Sequence, residues 1–249
     1  MNCESDMGKY AILSDIHGNL QALREVHKDL KRFSINGIIL LGDLIDYGME
    51  SNEVVEYIQN ELADNIICNI WGNHERAIML SDFRGFSSQR GVVSAKRTAL
   101  LLNESSRKYL SAELVCEGTS EFELNGIRCL AVHGSIEDCY WKSILPENTH
   151  GDYSAYDVVF SGHSHYSHMF TKFYEADNPE MRNKHAVIFI NPGSVGQPRN
   201  HHPEAQYSIF DSDTLSVNMR SVPYNIKKTM DLFGDNVDCF YRDRLKNGV

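Results

Sequence analysis

Two aspartates, one asparagine and four histidines each follow closely on an apolar run. They are Asp15 and His17 in Ser14-Asp15-Ile16-His17-Gly18-Asn19, Asp43 in Gly42-Asp43-Leu44-Ile45-Asp46, Asn73 in Gly72-Asn73-His74-Glu75, His133 in Val132-His133-Gly134, and His163 and His165 in Gly162-His163-Ser164-His165. Carboxylate, amide carbonyl and imidazole together form a mixed oxygen and nitrogen donor set suited to borderline divalent or trivalent cations. Asp15 and His17, like His163 and His165, are two residues apart. In an extended segment that spacing points both side chains to one face, where they could grip one ion together. Asp43 ends the run Gly37-Ile38-Ile39-Leu40-Leu41. Its two carboxylate oxygens could bridge cations about 3.5 to 4 Å apart, the spacing of two-metal hydrolytic sites. Each block alone also fits a turn or a helix cap. Five strand ends carrying the same chemistry do not fit that reading, and the set predicts a metal centre.

The elements that must position these residues follow from periodicity. Tyr10 to Leu13, Gly37 to Leu41, Ile66 to Trp71, the segments around Asn125-Gly126, Asp157 to Ser161, Phe170 to Tyr174 and Ala186 to Ile190 read as strands. Several are apolar without alternation, as expected of strands buried on both faces. Leu20, Leu23, Val26, His27 and Leu30 recur at helical spacing, predicting a helix to about Arg32 and a βαβ unit with the flanking strands. Asn52 is a candidate cap for a helix carrying Val54, Val55, Ile58 and Leu62. Ser81 to Gly91 reads as a loop and the residues from Val92 to Tyr109 as a helix, so 76–110 is a candidate lid or insert. Gln206 to Phe210 and Thr214 to Met219 predict a hairpin, and Ile226 to about Leu245 a closing helix.

Composition bounds the rest. A chain of 249 residues, 42% hydrophobic, is long enough for one large core and shows no linker-like shift, which predicts a single domain over 1–249 with 1–9 as a tail. The net charge of −10 disfavours non-specific binding to nucleic acid or an anionic membrane. Six cysteines without a Cys-x-x-Cys pair predict reduced, mostly buried thiols. Met1 to Lys9 lacks a signal-peptide pattern and no run approaches a membrane span, so a cytoplasmic protein is expected.

The ordered set Asp-x-His, Gly-Asp-x-x-Asp, Gly-Asn-His-Glu, Val-His-Gly and Gly-His-x-His, at 15–17, 42–46, 72–75, 132–134 and 162–165, resembles the calcineurin-like metallophosphoesterases. With the loop Asn191 to Arg199 it looks like their compact bacterial and archaeal phosphodiesterase branch, over roughly Tyr10 to Asp211. The resemblance implies an α/β fold, a four-layer α/β/β/α sandwich of two mixed β-sheets face to face with helices outside; a single doubly wound sheet is the alternative. It implies that Asp15, His17, Asp43 and His165 hold one metal and Asp43, Asn73, His133 and His163 the other. The ions expected are two divalent or trivalent metals, manganese first, with iron, zinc, nickel or magnesium as alternatives. His74 matches the catalytic histidine and Asp46 its orienting carboxylate. The implied reaction is hydrolysis of a small phosphoester or nucleotide-like anhydride by a hydroxide generated between the ions. A dinucleoside polyphosphatase, a phosphomonoesterase and a silent interaction scaffold on the same fold are the alternatives.

In the protein phosphatase branch, arginines that clamp a terminal phosphate follow Gly-Asp-x-x-Asp and precede Gly-Asn-His-Glu. This chain has Tyr47 and Trp71 there, and Ser167 where the compact branch often has proline. The lost charge predicts a preference for diesters, with Arg199, Arg84 and Arg90 as candidate replacement contacts.

Overall fold

The computed structural model describes residues 8–235 and 237–249. The expected tail therefore lies, for residues 1–7 and Cys3 among them, outside the described residues. Ten strands lie among these residues, the inner ones from runs rich in Ile, Val and Leu: β1 Lys9–Leu13, β2 Gly37–Leu40, β3 Ile66–Asn69, β4 Thr119–Leu124, β5 Ile127–Val132, β6 Val158–Ser161, β7 His168–Glu175, β8 Lys184–Asn191, β9 Ala205–Asp211 and β10 Ser216–Val222. They build two mixed five-stranded sheets, ordered β10-β9-β1-β2-β3 and β4-β5-β6-β8-β7. A single doubly wound sheet is thereby excluded.

Strand period sorts the side chains into layers. Ile12, Ile39, Leu41, Cys68 and Ile70 of the first sheet meet Cys129, Ala131, Val158, Phe160 and Ile190 of the second in one buried cluster. Their neighbours Ala11, Leu13, Ile38 and Leu40 face the opposite way, onto helices α1 Leu20–Leu30 and α2 Ser51–Glu61. Both faces of these strands are buried, which is why the sequence reads as unbroken apolar runs rather than alternation. On the second sheet, Leu130, Val132, Val159, Val187 and Phe189 are covered by Ile144 and Tyr153. That outer layer is the irregular segment 133–157, which contains no helix.

The Asn125-Gly126 hairpin joins β4 to β5, both turn residues having positive φ. Three local expectations change. Asn52 does not cap α2, which begins at Ser51 after Glu50; its side chain instead donates to the Leu101 carbonyl and accepts from the Asn103 amide. Those two bonds sit where the single helix expected over 92–109 breaks into α4 Gln89–Leu101 and α5 Glu104–Ala112, with Asn103 capping the second. The long closing helix is likewise two short ones, α6 Ile226–Met230 and α7 Phe240–Asp243, separated by a segment with Gly234. The thiols are unpaired among the described residues, but Cys116 and Cys239 are exposed while only Cys68 and Cys129 are buried.

β1, β2 and β3 run parallel, as do β5, β6 and β8. Their carboxyl ends therefore open into two sheet edges that lie side by side, the place where open α/β sheets hold ligands.

Candidate metal centre

Asp15 and His17 follow β1, Asp43 follows β2, Asn73 opens helix α3 Asn73–Leu80 after β3, His133 follows β5, and His163 and His165 follow β6. Backbone bonds between the strand-end turns lock them together: Asp15 N–H donates to the Gly42 carbonyl at 3.1 Å and His17 N–H to the Asp43 carbonyl at 2.9 Å. Gly42 has φ +85°, and a Cβ there would lie 2.3 Å from the Gly72 nitrogen, so the two turns approach backbone to backbone. The two-residue spacing does not act through an extended segment, as the sequence led one to expect. Asp15, His17, Asp43, His163 and His165 all have positive φ, so left-handed turns rather than extended strands aim them inward.

Two donor groups result. Asp15, His17, Asp43 and His165 converge within 4.8 Å of one another, and Asp43, His133 and His163 do the same. Asn73 joins the second group, its Oδ1 3.0 Å from His133 Nε2 and 2.9 Å from His163 Nδ1. His17 Nδ1 faces the Ile45 carbonyl at 3.2 Å and His165 Nδ1 the Gln197 carbonyl at 2.6 Å, which places their protons there. Their Nε2 lone pairs then face each other at 3.2 Å. Asp15 Oδ1, buried beside them at 3.1 Å from His165 Nε2, has no hydrogen-bond partner. Acceptors converging with no proton between them fit a cation.

Electrostatics agree. Burial holds His17 well below the ordinary histidine range and His163 down at about 3, so both are neutral and able to ligate. Burial also lowers His165, with Arg199 adding to it. His133 differs: burial opposes its charge, yet the Asp43 carboxylate raises it to about 9, a proton that a cation at this position would replace. Asp43 is held well below the carboxylate range, burial notwithstanding, by His133, His74 and His17. Its two oxygens are not equivalent. Oδ1 accepts the His74 amide at 2.9 Å, leaving Oδ2, 3.6 Å from His17 Nε2 and 3.3 Å from His133 Nε2, as the atom common to both groups.

His74 lies outside both groups. Its Nδ1 bonds Asp46 Oδ2 at 2.7 Å, and Asp46 Oδ1 accepts the Ser94 and Thr98 hydroxyls, each at 2.7 Å. Against the effect of burial, Asp43 and Asp46 raise the His74 pKa. Sequence reading missed Ser94 and Thr98; their i, i+4 spacing puts them on one face of α4, but nothing local pairs that face with Asp46. It also left Glu75 without a role. The buried Glu75 carboxylate accepts the amides of Asp43, Leu44 and Gly72 at 2.8 Å and of Ile45 at 3.3 Å. Burial and the Asp43 charge push it up to about 7 against those amides.

A cavity of about 250 Å³ opens on Asp43, Asn73, His74, His163 and His165, walled by Tyr47, Phe86, Trp141 and Arg199. Tyr47 stacks on Tyr241 at 4.2 Å and stands edge-on to His74 at 4.4 Å. Arg84 and Arg90 are not among its walls: Arg84 is exposed and paired with Asp82, while Arg90 pairs with Asp238 at 2.8 Å and lines a separate cavity. Trp71 points into the helix-side core and donates to the Leu110 carbonyl at 2.6 Å.

A family model described as the calcineurin-like phosphoesterase superfamily domain matches residues 9–215. The chain belongs to that superfamily. It is similar to the uncharacterized protein MJ0912 of Methanocaldococcus jannaschii, with 29% identity over 228 residues and 88% of each chain covered. Among solved structures, the phosphoesterase resembles a metallophosphoesterase from Sphaerobacter thermophilus, with 26% identity, a TM-score of 0.71, and 98% and 100% of the two chains covered. It shares the fold of the hypothetical protein PH1004 from Pyrococcus horikoshii OT3, at 22% identity and a TM-score of 0.79 over 98% and 99% of the chains. This phosphoesterase is thus a hydrolase of phosphoesters whose clustered Asp and His side chains could hold metal. No helix among its described residues is long and apolar enough to cross a membrane.

Proposed function

We propose that this chain hydrolyses phosphodiesters or internal phosphoanhydrides of small, nucleotide-like molecules at a two-ion centre. Asp15, His17, Asp43 and His165 hold one ion and Asp43, Asn73, His133 and His163 the other, with manganese the favoured occupant. The observation that carries this reading is the pair of donor groups that share Asp43. Bound ions of this kind supply a nucleophile at neutral pH and neutralise the phosphoryl oxygens. The remaining work belongs to the side chains. Asp46 Oδ1 accepts the Ser94 and Thr98 hydroxyls and its Oδ2 faces His74 Nδ1, so Nδ1–H donates to Asp46 and Nε2 is left for the cavity. A proton on that Nε2 is positioned to stabilise or protonate the leaving oxygen, a contribution of about 10² to 10⁴ in rate. Tyr47, Phe86 and Trp141 line the cavity with aromatic surface against which an apolar part of the leaving group can pack.

Preference for diesters rests on charge. A monoester carries close to two negative charges and calls for cationic contacts beyond the metals. Of the three arginines considered, only Arg199 lines the cavity. Metal analysis of the manganese-loaded protein should find two ions per chain, and Asp43→Asn should lose metal together with nearly all activity. Bis-para-nitrophenyl phosphate should show a higher kcat/KM than para-nitrophenyl phosphate. A tenfold preference for the monoester, about 1.4 kcal/mol in transition-state stabilisation, would overturn the charge argument.

A further inference from the structure

The carboxylate that holds His74 is itself held from a helix that gives nothing to either donor group. Asp46 is fully buried and its oxygens divide the work: Oδ2 faces His74 Nδ1 at 2.7 Å, while Oδ1 accepts Ser94 Oγ and Thr98 Oγ1, each at 2.7 Å. Both hydroxyls stand on successive turns of α4, and among the described residues no side chain of α4 belongs to the metal-ligating clusters. Serine and threonine inside a helix commonly turn their hydroxyls back onto the carbonyl four residues earlier. Here both are turned off their own helix and onto one carboxylate oxygen, 48 and 52 residues away.

The main chain does little to aim that carboxylate. Asp46 (φ +72°) and Tyr47 (φ +60°) are consecutive left-handed residues, and the Asp46 amide is spent on Ser51 Oγ at 3.0 Å. Such a conformation persists only where its neighbours enforce it. The kind of donor matters too. An arginine or lysine at Oδ1 would neutralise the carboxylate, whereas hydroxyls satisfy the oxygen and leave its negative charge facing the imidazole. Among the described residues, His74 is the one basic side chain paired with Asp46.

We infer that Ser94 and Thr98 are positioning residues of the hydrolytic reaction: their hydroxyls fix the Asp46 carboxylate, and through it the angle at which the His74 ring meets the substrate. This rests on the phosphoester reading above and deepens it. The rival role for α4 is to shape the binding wall, since its cap Ser88 and the preceding Phe86 line the cavity. A positioning defect appears in kcat and a reshaped wall in KM.

The test is a cycle between the hydroxyls and the imidazole, measured with manganese-loaded protein on bis-para-nitrophenyl phosphate. Ser94→Ala combined with Thr98→Val should lower kcat at least tenfold, with metal content kept and KM moved less than twofold. In a His74→Asn background the same pair should change kcat less than twofold, because the group it positions is gone. Thr98→Ser, which keeps the hydroxyl, should recover most of what Thr98→Val loses. An equal loss in both backgrounds, a loss confined to KM, or a Thr98→Ser as impaired as Thr98→Val overturns the assignment. Wild-type protein that cleaves neither this ester nor para-nitrophenyl phosphate would sink the phosphoester reading instead, and a spectroscopic arm then decides the positioning. In zinc-loaded protein, free of paramagnetic broadening, the His74 Nδ1 proton, identified by its absence in His74→Asn, should give a downfield resonance in slow exchange with water. The paired substitution should speed that exchange at least tenfold. No such resonance in the wild type, or an unchanged exchange rate, rejects the proposal. If the paired variant loses its thermal transition, Ser94→Ala alone, at a half-buried position, goes through both arms with a threefold criterion.

Discussion

At the scale of single residues, Asp43 shows how two neighbouring roles are kept apart. Its Oδ1 is taken by the His74 amide, so the same carboxylate that faces both donor groups also fixes where α3 begins. His74 in turn has its ring held by Asp46 rather than by either donor group. We therefore expect His74→Asn to keep its metal content while turnover falls about 10²-fold or more, read from metal analysis beside kcat. Loss of metal along with activity would place His74 among the ligands instead. The pH dependence has a definite sign. Asp43 and Asp46 raise the His74 pKa against burial, so its proton persists above the ordinary histidine range and is lost as pH rises through the raised value. Asp46→Asn removes part of that support, and the alkaline limb of the kcat/KM profile should move to lower pH. An alkaline limb unmoved in that variant would rule out His74 as the proton donor.

At the scale of elements, the ends of β2 and β3 are joined by one side chain. Glu75, in the first turn of α3, accepts four backbone amides, from Asp43, Leu44, Ile45 and Gly72. Both oxygens accept, so Glu75→Gln turns a donor NH₂ toward two of those amides. Leaving two buried donors unmet costs about 1–3 kcal/mol each, and the turn carrying Asp43 should loosen. Chemical denaturation is expected to show a loss of about 2–4 kcal/mol, and titration of metal-depleted protein a weaker uptake. Wild-type stability and uptake in Glu75→Gln would mean the turn is held by its backbone bonds alone. Asn52 does similar work elsewhere, fixing the junction of α4 and α5 to α2. That junction sets the end of α4, the helix from which Ser94 and Thr98 reach Asp46.

At the scale of the whole molecule, Asp29 links the first helix to the far edge of its sheet. The buried carboxylate on α1 accepts Tyr207 Oη of β9 at 2.7 Å, Arg220 Nε of β10 at 2.8 Å and Arg32 Nη1 at 2.9 Å. Burial works against its charge, but these donors win and hold its pKa below the carboxylate range. A depressed carboxylate stabilises the fold fully above its unfolded value of about 4 and loses that contribution as pH falls through the folded value. Removing the charge by Asp29→Asn should cost about 2–3 kcal/mol at neutral pH, a value reduced from the fully buried case because Arg220 is partly solvated. The difference between variant and wild type should shrink as the pH is taken below about 4. A difference constant from pH 7 to pH 3 would show that the pair contributes shape rather than charge.

The sequence by itself made most of the strands legible, and with them the polar side chains that cluster at their ends, because both are written locally. The apolar run Ile38 to Leu41, short and bounded by Gly37 and Gly42, reads as a strand and is buried on two faces, and Asp43 beyond it lies at the sheet edge. What the tertiary structure decided involves partners distant along the chain. Asp15 Oδ2 accepts the His163 amide across 148 residues, and Asp46 meets Ser94 and Thr98 across 48 and 52. Side-chain identity says what a group can bond, but which surface it meets depends on how two sheets pack. Hence Arg84 and Arg90, near the site in sequence, turn outward to Asp82 and Asp238, while Tyr241 reaches Tyr47 from a segment beyond the two-sheet core. The left-handed turns at Asp15, His17, Asp43, His163 and His165 were equally illegible. Such conformations are disfavoured locally and persist only where the surrounding strands and turns enforce them.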